Sequence, residues 1–227
     1  MHNEKYFETR YTPDARRTIV WKEIVSFLSG RYIPSRRDTA VIDIGAGYCN
    51  FINNVNPADG EEGRSTIIRT AVDIDEKIRG YADPGVEVVI ADCSDLCQIP
   101  SDKYDVCFSS NLLEHLEPDK ILKTTGEMRR ILKKDGRIIL LLPNYRYCME
   151  EFWDDYTHRF PLTDISIKDI LGASGFYAEK VYPKFLPFSF KEKKSLYIPV
   201  NRFIVKFYIW SPWKPFAGQM LAIGRKK

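Results

Sequence analysis

Residues 39–45, TAVIDIG, restrict this chain most. The apolar residues run without polar alternation and end in an acid and a glycine. A strand of that kind is covered on both faces, which calls for a parallel sheet with a helix layer on each side. Similar runs recur at 67–74, 86–90, 104–109, 136–143, 176–182 and 216–226. Between or before them, 14–29, 118–133 and 166–174 carry apolar residues at helical spacing, with Gly30 and Gly175 as stops for the first and last. Strands alternating with helices predict an α/β fold with a doubly wound, seven-stranded, mostly parallel sheet and helices on both faces.

A chain of 227 residues suits one such domain. The expected organisation is a helical lead-in over 1–38, a ligand-binding core over 39–182, an aromatic-rich insertion over 183–215 and a last strand over 216–227. Asn, Pro and Gly make 53–65 a loop. Five scattered cysteines, Cys49, Cys93, Cys97, Cys107 and Cys148, form no CxxC pair, the usage of a reducing compartment. The first ten residues lack a signal-peptide pattern, and no apolar run reaches the roughly 18 residues of a membrane span. These features predict a cytoplasmic protein. Net charge is +3, with basic residues clustered at 191–194 and at the C-terminus. Nucleic acid binding asks for a denser basic face, so no nucleic acid partner is expected.

The turn VIDIGAGYC, residues 41–49, identifies the ligand class. A dinucleotide fingerprint would place a third glycine at Asn50, and a P-loop would close on GK[ST]; neither is present. Acids instead end successive strands: Asp43 before the glycines, Asp73 in AVDID and Asp92 in IADCSDL. Ligands of open α/β sheets bind at the carboxyl ends of the strands, so the three acids form one site. S-adenosylmethionine, with its ammonium, ribose and adenine, asks for acids and backbone groups in that order.

With VIDIGAGYC, AVDID, IADCSDL, YDVCFSSNLLEHL and GRIILLLPN in sequence, the chain resembles the class I S-adenosylmethionine-dependent methyltransferases and their Rossmann-like fold over most of residues 40–180. The resemblance implies S-adenosyl-L-methionine as cofactor. Gly45 and Gly47 would pass against its methionine part, with Asp43 fixing the turn and the ammonium. Asp73 would accept from the ribose hydroxyls, with Ile74 beside it in the cofactor site. Asp92 would accept from the adenine amino group, the backbone at Cys93 would support the ring, and Ser109, Ser110 and Asn111 would face the sulfonium. Cys49 departs from the pattern by standing where a third glycine is usual, which implies a displaced turn or weaker binding.

Methyl transfer to a hydroxyl benefits from a base, and two histidines fall at the expected substrate cleft: His158 in DDYTHRFPL, preferred as base, and His115 in LLEHL. Asp155 is a further catalytic candidate. The segment 144–163 mixes aromatics with Asp154, Asp155, Arg146 and Arg159, a composition able to hold a sugar. Over nearly the whole chain the sequence resembles a branch associated with bacterial surface polysaccharide synthesis, which implies a carbohydrate O-methyltransferase acting on a sugar or nucleotide-linked sugar. Two other readings stay open: O- or C-methylation of a small-molecule, lipid or quinone-like acceptor, and a non-catalytic module that keeps the fold. The apolar stretch in 183–215 serves either as a cover or as a peripheral membrane contact. No metal ligand spacing is present in the sequence, and the oligomeric state is not encoded in any motif.

Overall fold

The computed structural model describes residues 15–55, 67–188 and 201–227. The segment before residue 15, most of the loop at 53–65 and the basic run at 191–194 lie outside the described residues. Strands β1 (Ala40–Ile44), β2 (Ile68–Asp73), β3 (Val86–Ile90), β4 (Tyr104–Ser110), β5 (Leu132–Pro143), β6 (Phe176–Pro187) and β7 (Ala217–Lys226) form one sheet in the order β3-β2-β1-β4-β5-β7-β6. The first five run parallel, and β7 is antiparallel to both its neighbours. The helices are α1 (Ala15–Ser29), α2 (Pro118–Ile131), the single turn α3 (Met149–Phe152), α4 (Ser166–Ala173) and α5 (Arg202–Trp210).

The alternating pleat divides the core in two. Val41, Phe108, Ile139 and Leu221 face α1 and α5, in a cluster that includes Ile24, Phe27, Val205 and Ile209. Ile42, Cys107, Leu140 and Met220 face the other way, against Ile121 and Met128 of α2 and Ile167 and Leu171 of α4. Both faces of the sheet are therefore covered, as the unbroken apolar strands require.

Several boundaries differ from those predicted. Helix α2 ends at Ile131 rather than 133, and β5 begins at Leu132 rather than 136. Leu132 pairs with Tyr104, but the next aligned pair is Val106 with Arg137, so Lys133 to Gly136 bulge out of register. Strand β4 runs to Ser110, one residue beyond the predicted 109. Strand β6 extends past 182 to Pro187, so the first part of the 183–215 insertion belongs to the sheet. Within the same insertion α5 forms, its first turn capped by Asn201 Oδ1, which accepts from the Ile204 N–H at 2.9 Å. Arg202 pairs with Glu23 of α1 at 2.7 Å. No helix among the described residues is long and apolar enough to cross a membrane.

Candidate active site

The strand order β3-β2-β1-β4 places four carboxyl ends side by side, and hydrogen bonds lock their loops together. Gly45 and Ala46 donate to the Val72 carbonyl at 2.8 and 3.0 Å, which anchors the glycine turn on β2. Ala91 donates to the Asp73 carbonyl at 3.0 Å, and Asn111 to that of Leu141 at 2.8 Å. Ser109 Oγ donates to the Ile44 carbonyl at 2.7 Å; it is buried and braces β1 against β4 from below. Gly45 has φ +72°, and a Cβ there would stand 3.2 Å from Leu112, so both backbone and space call for glycine.

Cys49 takes the backbone conformation of the glycine it replaces. Its φ of +56° is the left-handed conformation a glycine would supply. Its side chain is fully buried in the cluster with Phe51 and Ile52. Burial pushes its thiol up to about 12, with help from Asp43 and Asp73.

Asp43 is 3 % exposed, and its pKa is raised well above the carboxylate range, first by burial and then by the nearby Asp73. Asp73 Oδ2 accepts from the Gly47 N–H at 2.9 Å and Oδ1 from the Asp75 N–H at 3.0 Å. Two of its lone-pair positions are used inside the protein and two remain for a ligand. Ile74 is half exposed beside it, an apolar surface at the mouth of the site. A shallow depression lined by Gly47, Asp73, Asp75, Lys77, Ile78 and Tyr81 opens there, with the Tyr48 and Tyr81 rings 4.5 Å apart at its side. A pair of close acids suits a ligand with an ammonium and ribose hydroxyls, so the residues fit S-adenosylmethionine.

Asp92 is more committed. Oδ1 accepts from Ser94 N and Oγ at 2.9 and 2.7 Å, and Oδ2 pairs with Lys120 at 2.7 Å. Burial works to raise its pKa, yet Lys120 and Ser94 hold it down at about 2. One lone-pair position of Oδ2 is left for an adenine amino group. Cys93 Sγ contacts Thr124 Oγ1 of α2 at 3.5 Å.

The second group of sequence candidates also comes together. His115 and His158 have ring centroids 4.8 Å apart. His158 is buried, with Nδ1 2.6 Å from the Phe152 carbonyl, which can only accept. Its proton therefore sits on Nδ1 and the lone pair on Nε2. Thr157 Oγ1 lies 2.6 Å from Asp155 Oδ1 and 3.0 Å from His115 Nδ1. With its one proton given to the carboxylate, Thr157 accepts from His115 Nδ1–H, which leaves the His115 lone pair on Nε2 as well. Asp155 thus acts on His115 through Thr157. Burial first, then His158, lowers the His115 pKa to about 4.

Sequence reading missed Glu114. It is 1 % exposed, neither carboxylate oxygen has a hydrogen-bond partner among the described residues, and burial pushes its pKa up to about 8. Its backbone carbonyl receives the N–H groups of Arg159 and Phe160, which brings the 158 segment to it. The signal in the sequence was an acid inside the apolar string LLEHL. Glu114, His115 and His158 each offer a ligand atom within 4.8 Å of the others, a grouping that no spacing in the sequence displays.

Residues 42–140 match the family described as "Methyltransferase domain". An uncharacterised protein of Methanocaldococcus jannaschii is 30 % identical over 142 residues, covering 60 % of this chain and 56 % of that protein. The chain thus matches little more than half the length of that curated relative. Among solved structures, an S-adenosylmethionine-dependent methyltransferase of Archaeoglobus fulgidus superposes with TM-score 0.63 at 22 % identity, over 91 % of this chain and 94 % of the other. The 1,6-didemethyltoxoflavin-N1-methyltransferase of Burkholderia thailandensis, solved with its substrate and S-adenosylhomocysteine, gives TM-score 0.57 at 17 % identity, over 98 % and 84 %. The likeness to these two structures is one of fold. Residues 42–140 therefore resemble a methyltransferase domain, and the seven-stranded sheet that carries them has the fold of the solved S-adenosylmethionine-dependent methyltransferase from Archaeoglobus fulgidus.

Proposed function

We propose that the chain transfers a methyl group from S-adenosylmethionine to a hydroxyl of a sugar or nucleotide-linked sugar used in polysaccharide synthesis. The observation that carries the methyltransferase reading is the buried acid pair Asp43 and Asp73 at the glycine turn, where Asp73 adds to the cost of charging Asp43. Asp43 would receive the ammonium, Asp73 the ribose, and Asp92 and Ile74 the adenine. When bound, the cofactor supplies a methyl carbon on a sulfonium that departs as a neutral thioether once an oxygen takes the methyl.

The proton of the acceptor hydroxyl goes to the imidazole pair, with His158 preferred because its Nδ1 is held by the Phe152 carbonyl and Nε2 carries the lone pair. Asp155 positions His115 through Thr157. A sugar acceptor is supported by the exposed rings of Tyr147, Trp153 and Tyr156 on the segment that carries His158. A second reading, a lipid-linked or quinone-like acceptor, is favoured by the exposed Phe203, Phe207, Trp213 and Phe216, two of them on α5.

Calorimetric titration with S-adenosylhomocysteine tests the cofactor assignment. Asp73→Ala is expected to weaken binding about 10-fold or more, the scale of a lost charged hydrogen bond; an unchanged affinity would remove Asp73 from the site. Wild-type protein with labelled cofactor is then offered nucleotide sugars, lipid-linked sugars and quinols. Transfer only to the lipid-linked or quinol acceptors would overturn the soluble sugar reading.

A further inference from the structure

Outside the cofactor pocket, the group at Glu114 is hard to explain as packing. A fully buried carboxylate costs several kcal/mol to charge unless something compensates it. Among the described residues nothing donates to either oxygen. Two imidazoles stand beside it, and their partners leave Nε2 of each as the lone-pair nitrogen: the Phe152 carbonyl fixes His158, and the chain Asp155, Thr157 fixes His115. A carboxylate, carbonyl or other acceptor on the far nitrogen is the usual setting of a metal-ligating histidine. One potential ligand atom from each of the three residues lies within 4.8 Å of the others. The three come from two loops, the turn after β4 and the segment after β5, that meet where Arg159 and Phe160 donate to the Glu114 carbonyl.

We propose that Glu114, His115 and His158 bind a divalent transition-metal cation, with Glu114 supplying the charge that the site otherwise leaves uncompensated. Two imidazoles and one carboxylate suit zinc, or iron or manganese, better than magnesium or calcium, which prefer oxygen donors throughout. Three protein ligands leave coordination positions open, the arrangement of sites that act on a substrate oxygen rather than hold a fold together. The inference deepens the proposed function and rests on it in one respect: the imidazole pair would serve the acceptor hydroxyl through a cation rather than as a bare base. Cys148 is buried nearby but directs its Sγ to the Asn144 carbonyl at 3.2 Å and is not counted among the ligands.

The test uses the full chain without a histidine tag, stripped with chelator and titrated with Zn²⁺ by calorimetry and with Co²⁺ by absorption. One equivalent should bind, with Co²⁺ bands of nitrogen and oxygen ligation and no thiolate charge-transfer band. Glu114→Gln and His115→Gln should each weaken Zn²⁺ by about 100-fold, Thr157→Val by about 10-fold through loss of the His115 orientation, and Cys97→Ala not at all. Absence of stoichiometric binding, thiolate ligation, or an Glu114→Gln protein that binds as tightly as the wild type would overturn the site. Binding of S-adenosylhomocysteine, measured in the same preparations, reports folding and separates the two readings. Cofactor bound without metal refutes the cation site alone, while metal bound without cofactor supports the site and refutes the methyltransferase reading.

Discussion

Asp43 is the residue whose surroundings most oppose its own charge. It is buried, it faces Asp73, and its relief inside the protein is the Ile52 N–H. For an acid, a folded pKa raised above the unfolded value means that stability is present while the group is protonated and is lost as pH rises through the titration. At neutral pH the apo-protein therefore carries this carboxylate at a cost, which a bound ammonium would remove. Asp43→Asn keeps an oxygen for Ile52 and discards the charge. The variant is expected to melt at a higher temperature than wild type without ligand, yet to bind S-adenosylmethionine about 10-fold more weakly or worse, a trade seen where sites store unfavourable charge. Calorimetry and a thermal melt on the same sample check both halves. A lower apo melting temperature would show that Asp43 serves the turn rather than the ligand.

At the scale of elements, Asp105 near the start of β4 gathers three others. It accepts from the Ala40 N–H of β1 at 2.9 Å and from Lys133 of the β5 bulge at 2.7 Å, and it pairs with Arg36 ahead of β1. Burial alone would raise its pKa, but these donors bring it below the usual carboxylate range. A lowered acid gives stability that is complete above its unfolded value near 3.9 and is lost as pH falls through the folded one. Asp105→Asn should therefore cost about 1–3 kcal/mol at neutral pH and flatten the fall in stability below about pH 4, followed by urea unfolding across pH. An unchanged acid limb would assign the pH dependence to other carboxylates.

Most elements were legible in the sequence because β-branched runs sat between turn residues: 86–90 matched in full, and 104–110 and 217–226 to within a residue. The extension of β6 was hidden by Pro183 and Pro187, which argue against a strand. They are tolerated because β6 is the sheet edge among the described residues, paired there to β7 alone, with register shifts after Tyr182 and at Pro187. Of the three acids expected at strand ends, Asp73 closes β2, Asp43 stands one residue before the end of β1 and Asp92 two residues past β3. Glu114 was passed over because its one local sign, a place inside the apolar string LLEHL, does not show which groups of the 158 segment pack beside it. The Asp92 pair with Lys120 joins residues 28 apart through tertiary structure, and no sequence spacing encodes it.

For the molecule as a whole, the question is whether the cofactor edge and the C-terminal part unfold together. Val205 and Ile209 of α5, Phe185 and Leu186 of β6 and Leu221 of β7 share one buried cluster with Ile24 of α1, Val41 of β1 and Phe108 of β4. The Trp210 ring meets Phe27 edge-on at 5.6 Å, with the Arg31 guanidinium 4.0 Å from the Trp210 ring. A core continuous from the glycine-turn strand to the last strand leaves no seam along which half the sheet could melt alone. A ligand at the carboxyl edge should then stabilise everything. At 100 times Kd, S-adenosylhomocysteine adds about 2.7 kcal/mol, which for a domain of this size raises the melting temperature by about 5–10 °C. Scanning calorimetry is expected to show one transition that moves as a unit. Two transitions, only the first responding to ligand, would mean that α5, β6 and β7 form a separate cooperative unit despite the shared core.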